Sequence, residues 1–379
     1  FNFAAEKKLD PRITYSRTGP ASFINEFGKF KFAADNEPRF DHDPDTGECK
    51  GLLIEQDSIN LIAGSADEGS DTRSVYSTLG NGFAINELVA DVVRPTGTPG
   101  LVRRVKSHAS SNSGGRWGGY SGSGGSPYAG SFWARSVTGT SQVAIDVNDT
   151  GYNVTTLTTK WVRVEAVGTT GNNYDFMDIT LPNTSDDIYI WGMQLEQNEY
   201  ASSYIRNGKN STQAYRGADT AYIDGDDFDN IYNDSEGTFV LQATTGDLSS
   251  SNQAAWGVEK ASNRSGHFSV VGYRVGGGQS GYTGAWYTAN GSTSAFHNMN
   301  AGVTASTPFK IAFSYKVNDM DATTNGGTVL GDTNAAIDPD FDRFTLGSYH
   351  FGSMKIGHIQ RAIYHSSKIT NNQLLTLTS

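Results

Sequence analysis

The chain has 379 residues, 44 of them glycine, with only 18% charged residues and a formal net charge of −11. That length allows two or three domains with ordinary cores, and a charge-poor composition rich in Gly, Ser, Thr and Asn favours β structure over a charged helical protein. The acidic balance excludes a duplex-binding protein, which needs clustered Lys and Arg against phosphates, and no apolar run nears the roughly 20 residues of a membrane helix. Cys49 is the single cysteine, which rules out an intrachain disulfide and a cysteine-based zinc site. No secretion leader is read at Phe1, and since this residue is not Met, upstream residues are expected.

Residues 1–62 read as short strands and hairpins with too little apolar content for a globule of their own. The segment is expected to lean on something else, and a neighbouring copy of the chain is one candidate. Within it, Pro38–Leu61 (PRFDHDPDTGECKGLLIEQDSINL) places two apolar-alternating runs about an Asp/Pro/Gly-rich reversal. This is a hairpin that sets Phe40, Leu52 and Ile54 on one side. Asp41, Asp43 and Asp45 alternate as in a calcium loop. The glycine comes one place late, however, and no Glu holds the twelfth position, so turn formation explains them better.

From 63 to 206, apolar-alternating runs recur between turns, among them FAINELVADVV, YAGSFWARSV, KWVRVEAVG and DIYIWGMQLE. That rhythm predicts a β-sandwich. Trp133, Trp161 and Trp191 lie inside these runs beside apolar partners, and core packing is expected for all three. From 207 to 379 the rhythm continues through GTFVLQATT, FKIAFSYKVND and RFTLGSYHF. A brief helix closes the chain, with Thr370 and Gln373 as a capping box ahead of Leu374, Leu375 and Leu377. The predicted fold is all-β: an N-terminal hairpin connector followed by two antiparallel β-sandwich, jelly-roll domains.

No catalytic pattern stands out. A glycosidase needs two carboxylates facing one another across a cleft, yet the only glutamates after residue 207 are Glu236 and Glu259. Glu236 reads as a surface residue at a strand start. There is no Gly-x-Ser-x-Gly elbow, no His-Glu-x-x-His pair and no phosphate loop. His350, His358 and His365 read as strand or surface histidines. No cofactor or metal is expected, calcium through the oxygen-rich turn at 223–230 being the sole alternative. Sugar binding, by contrast, asks for exposed aromatic faces and planar polar groups in a shallow groove. Two Gly-rich segments offer these: 114–130, which lacks a strand period and reads as a loop, with Arg116, Trp117, Tyr120 and Tyr128, and 256–268 together with 276–291, where Trp256, Arg264, Tyr282, Trp286 and Tyr287 stand beside flexible glycines. The competing readings are aromatics folded over their own sandwich edge or buried at a subunit contact.

The hairpin phrase resembles a segment of tailed-phage tail-fibre and appendage proteins. SFWARS, KWVRVEA and IYIWGMQLEQNEYASSYI resemble strands of jelly-roll carbohydrate-binding modules. SEGTFV, FKIAFSYK, NGGTV and the DRFTLG to GHIQRAIYH closure resemble the concanavalin A-like lectin/glucanase sandwich, laminin G-like branch. The resemblance implies a non-enzymatic virion appendage, extracellular on the particle surface, that binds host cell-surface glycans and contacts other virion proteins. It also implies a homotrimer. A purely structural capsid or neck fibre and a polysaccharide depolymerase are the alternatives, and neither nucleic acid nor membrane insertion is expected. The Glu-x-Asp-x-Glu strand of glucanases with this fold is missing, which disfavours the depolymerase.

Overall fold

A computed structural model of the chain describes residues 1–64, 77–109, 113–121, 124–169, 174–208, 212–246, 253–260, 268–274, 282–289, 292–299, 303–304, 306–334, 336–337, 341–349, 352–353 and 356–379. Strands dominate, and every pairing between them is antiparallel. The N-terminal segment holds a short helix α1 (Phe3–Glu6) and strands β1 (Thr14–Ser16), β2 (Ala21–Ile24), β3 (Phe30–Ala33), β4 (Phe40–His42), β5 (Cys49–Leu53) and β6 (Ser58–Asn60). β4 and β5 form the expected hairpin, with Phe40 opposite Leu52. Asp43 Oδ1 accepts from the amides of Asp45 and Thr46 and from the Thr46 hydroxyl, which makes this carboxylate a turn-former.

The middle of the chain supplies β7 (Ser77–Gly80), β8 (Ile85–Val93), β9 (Pro99–Lys106), β10 (Ser113–Ser121), β11 (Pro127–Ser136), β12 (Ser141–Val147), β13 (Asn153–Leu157), β14 (Val162–Thr169), β15 (Tyr174–Leu181) and β16 (Asp187–Glu196). They form two five-stranded sheets, ordered β13-β12-β15-β10-β7 and β14-β11-β16-β9-β8. One core lies between them, built from Trp117, Ile145, Met177 and Ile179 of the first sheet and Phe132, Val164, Ile188 and Leu195 of the second. In β16 alternation fails at a bulge. Gly192 has φ +65° and inserts an extra residue opposite the step from Ser131 to Trp133. The bulge switches the strand's parity, so Ile188 and Ile190 face the core before it and Met193 and Leu195 after it, while Trp191 stays on the outside.

The remainder forms β17 (Ala214–Arg216), β18 (Thr220–Asp224), the one-turn α2 (Gly225–Asp229), β19 (Glu236–Thr245), β20 (Gln253–Glu259), β21 (Phe268–Arg274), β22 (Tyr282–Ala289), β23 (Ser292–Met299), β24 (Pro308–Lys316), β25 (Met320–Thr324), β26 (Leu330–Asp332), β27 (Arg343–Leu346), β28 (Ser348–Tyr349), β29 (Gly352–Ser353), β30 (Ile356–His365) and α3 (Asn371–Thr378). Here the N-terminal segment finds its partner. The two seven-stranded sheets run β1-β18-β27-β20-β21-β22-β23 and β26-β25-β24-β19-β30-β5-β4, so residues 1–62 give an edge to each. Leu52 and Ile54 are fully buried, Phe3 is almost so, and Phe40 packs against the same core as Phe239, Trp256 and Phe344. The connector therefore leans on the C-terminal sandwich of its own chain, because that core would otherwise leave two sheet edges open. Helix α3 begins as the sequence predicts: Thr370 Oγ1 accepts from the Gln373 amide, and Gln373 Oε1 accepts from the Thr370 amide. Leu374 and Leu377 then seal the outer face of the sheet around Val240 and Ile363.

Candidate functional site

The two phrases that stand out in the sequence meet in space. Arg39 donates through Nη1 to Glu55 (2.7 Å), to the Ser203 hydroxyl (2.7 Å) and to the Ser22 carbonyl (3.0 Å), and through Nη2 to Asp219 (2.6 Å). Arg17 reaches the other oxygen of Asp219 at 3.3 Å, and Arg216 lies 3.3 Å from Glu55. All three guanidinium side chains and Asp219 are fully buried. Burial works to raise the Glu55 carboxyl, yet the charges of Arg216 and Arg39 hold it well below the usual range. Next to this cluster, the carboxyl of Glu196 is raised by burial while it accepts from Ser58, from Gln194 and from both the amide and hydroxyl of Ser202. The hairpin, the exit of the jelly roll and the entry to the C-terminal sandwich are thus tied at one buried junction.

That junction positions a cleft of about 540 Å³ between hairpin β2–β3 and the outer face of the sheet containing β11 and β14. Its aromatic lining comes from Phe23, Phe30, Trp133, Trp161 and Tyr204. Beneath it, Phe30 meets Trp133 edge-on at 5.1 Å and Trp191 at 5.6 Å, while Tyr204 packs on Trp191 at 5.2 Å. Phe23, Trp133 and Trp161 keep part of their surface exposed. Trp161 is fixed by its indole N–H, which donates to the Val93 carbonyl at 2.8 Å, and the Arg135 guanidinium lies 5.3 Å from its ring centre.

Polar groups in the lining are also held. Arg163 lies 5.0 Å from the Trp133 ring centre and donates to the Ser131 hydroxyl and the Ser202 carbonyl. Asp41 accepts from the Ile24 amide at 2.7 Å through one oxygen and pairs with His358 at 2.9 Å through the other. Burial opposes ionisation of Asp41, but the His358 hydrogen bond keeps its pKa below the ordinary value. Lys160 and Asp45 stand exposed in the same lining.

The residues singled out in the sequence lie elsewhere, and several are corrected. The 114–130 segment is no loop. Its described residues are strand β10, a turn at 124–125 and the start of β11, and β10 pairs with β15 along its length. Trp117 is 3% exposed in the sandwich core and Tyr128 is equally buried, so neither presents a face to a sugar. At Gly114 and Gly118 the neighbouring strand approaches too closely for a side chain. At Gly118, with φ +120°, a Cβ would come within 2.5 Å of the Asp175 carbonyl. Arg116 points the other way, its guanidinium 3.4 Å from the Phe176 ring centre and doubly bonded to Asp178, each contact 2.7 Å. Asp146, Asp149 and Asp178 cluster about it, and Arg116 also reaches Asp149 at 3.2 Å. Tyr120 lies on β10 opposite Asp175.

In the other segment, Trp256 is 1% exposed inside the C-terminal core, which removes it from any binding surface. Tyr282, Trp286 and Tyr287 belong to strand β22, flanked by β21 and β23, and not to a loop. Arg264 lies outside the described residues. The oxygen-rich 223–230 turn forms the end of β18 and α2, with Asp224 paired to Arg343 at 2.6 Å.

What the sequence reading missed was the outward direction of Trp133 and Trp161. A usable signal was present. Strand alternation places residues two apart on one face, and both tryptophans have an arginine two residues on, Arg135 and Arg163. An arginine is not accommodated in an apolar inter-sheet core, so its tryptophan neighbour faces outward too.

Comparison with known proteins finds no matching family model and no match among curated proteins. Similar solved structures include the IT-sialidase CBM40 of Ruminococcus gnavus bound to α2,3-sialyllactose, at 16% identity over 39% of this chain and 84% of that one, with a TM-score of 0.33. Domain 4 of AbnA, a GH43 extracellular arabinanase from Geobacillus stearothermophilus in complex with arabinotriose, matches at 14% identity over 43% and 73%, also with a TM-score of 0.33. The heptameric SAP-like pentraxin of Limulus polyphemus matches at 8% identity over 38% and 70%, with a TM-score of 0.29. Likeness at this level assigns neither ligand nor site to this chain.

Proposed function

We propose that this chain is a non-enzymatic, glycan-binding component of a phage virion appendage, and that the aromatic cleft beside hairpin β2–β3 receives the glycan. The observation that carries the reading is the lining itself. Half-exposed Trp161, Trp133 and Phe23 offer faces for the C–H side of a pyranose ring, while Arg163 and Asp41 are already fixed by bonds to their surroundings and can meet hydroxyls without further ordering. A glycosidase would need one carboxyl raised in pKa to act as general acid. Asp41 is shifted the opposite way, which supports binding without cleavage. The virion setting, the homotrimer and the extracellular location rest on the resemblance of the hairpin and exit phrases to tail-fibre segments. A glycan array probed with the intact protein and with Trp161→Ala tests the binding role. Signal from the wild type that disappears in the variant is the expected result, and a silent array for the wild type refutes it.

A further inference from the structure

A second cleft, of about 320 Å³, opens beside hairpin β4–β5 on the outer face of the sheet that this hairpin extends. The pairing of β19 with β30 is irregular here, with register shifts between Gln242 and Ala243 and again between Thr244 and Thr245. Such bulges re-aim side chains and break the even surface of a sheet. Gln242, Thr244 and Thr245 of β19 line the cleft with His358 and Gln360 of β30, and Lys50 and Glu48 come from the hairpin.

Two atoms in this lining are buried without a hydrogen-bond partner: the Thr245 hydroxyl and the Gln360 side-chain carbonyl. The Gln360 amide group donates to the Thr244 hydroxyl at 2.7 Å, which fixes the carbonyl as the open end. His358 engages Asp41 through Nε2 and so keeps Nδ1 for another partner. Most buried polar atoms in folded proteins have a partner, so an unsatisfied pair that lines a cleft leaves bonding capacity that an outside group can meet.

The chemistry of the lining restricts that group. Amides, hydroxyls and an imidazole predominate, and no Phe, Tyr or Trp ring takes part among the described residues. Asp43 and Glu48 outnumber Lys50, and Asp41 stands behind His358, so the local charge is negative and disfavours an anion. The volume lies at the low end of small-ligand sites, ~300–1,000 Å³. We propose that this cleft binds an uncharged, hydroxyl-rich group the size of one sugar ring or an open-chain alditol, independently of the aromatic cleft.

Cys49 lines the cleft and is the chain's single cysteine, so its alkylation rate reports on this site alone. The intact protein is titrated with neutral hexoses, N-acetylhexosamines and alditols, with a hexuronate and inorganic phosphate as charged controls, while ligand binding is followed by saturation-transfer NMR. A neutral member of the panel should bind and slow Cys49 alkylation. Thr245→Val keeps the side-chain shape and removes a hydroxyl that has no bond to lose. It should leave the melting temperature unchanged or higher and weaken the ligand about three- to tenfold. Trp161→Ala should leave protection of Cys49 intact, which separates this site from the aromatic cleft whichever of the two fails. Three results would overturn the proposal: no neutral compound protects Cys49, the charged controls protect it better, or Thr245→Val and Gln360→Leu both bind like the wild type. A drop in melting temperature for Thr245→Val without any protection would mean that an ordered water fills the cleft, which also overturns it.

Discussion

Trp117→Ala and Trp161→Ala should behave in opposite ways. Trp117 is 3% exposed between the two jelly-roll sheets, opposite Met177 in register and tilted against Phe83 at 6.3 Å. Its indole N–H has no partner, so truncation forfeits no hydrogen bond and the loss is one of packing and cavity formation. Large aromatic-to-alanine changes in a core cost about 3–5 kcal/mol. For a transition of this domain's size that amounts to roughly 6–20 °C in melting temperature. Trp161 is only half-buried at the rim of the aromatic cleft. Its removal forfeits the 2.8 Å bond to Val93 and the contact with Arg135, together worth about 1–2 kcal/mol. Differential scanning calorimetry of both variants, paired with a glycan-binding assay, is the measurement. Trp117→Ala should melt far below the wild type, while Trp161→Ala should melt close to it and lose binding. If Trp161→Ala proves the more destabilised, or if it binds glycan normally, then the assignment of inner and outer faces is wrong.

The buried junction offers a second test: Glu55→Gln removes the counter-charge of Arg216 and one of the two carboxylates that face Arg39, and urea denaturation should report a loss of about 3–5 kcal/mol. Acid gives a third. The folded-state pKa of Glu55 lies below its unfolded value of 4.5, so its contribution is complete above that pH and is lost as pH falls through the folded value. Stability measured at pH 6 and pH 3.5 should therefore fall more steeply for the wild type than for Glu55→Gln, and equal slopes would contradict the linkage. A fourth concerns Gly192, where φ is +65° and a Cβ would meet the Trp133 ring at 3.2 Å. Gly192→Ala should destabilise the jelly roll by about 1–3 kcal/mol and alter tryptophan fluorescence, whereas an unchanged melting curve would show the bulge to be dispensable.

Some of this molecule is legible without coordinates because the determinants are local. The DPDTG reversal turns wherever it is placed, since Asp43 bonds the amides two and three residues on. Phe40, Leu52 and Ile54 share a side because strand alternation demands it. Thr370 and Gln373 cap the last helix by reaching over a single turn. The all-β, antiparallel character follows from short alternating runs set between turn residues.

Other features depend on what lies across a strand, and there the sequence is silent. Period-2 alternation separates two faces but does not say which is inside, and here both faces of the sheet containing β11 and β16 are covered. Phe132 and Ile188 meet the opposing sheet, whereas Trp133 and Trp191 meet Phe30 of the N-terminal hairpin, more than 100 residues away in the chain. Trp117 reads as a loop residue because glycines surround it in the sequence, and at two of them, Gly114 and Gly118, strand β15 passes too close for a side chain. Likewise the partner of residues 1–62 became evident only when β1, β4 and β5 closed the edges of the C-terminal sandwich. Local turn and cap chemistry acts over a few bonds and is written in consecutive residues. Face and partner are settled by which distant surface removes the most apolar area from water while leaving Arg39, Glu55 and Asp219 paired, and that is a property of the assembled fold.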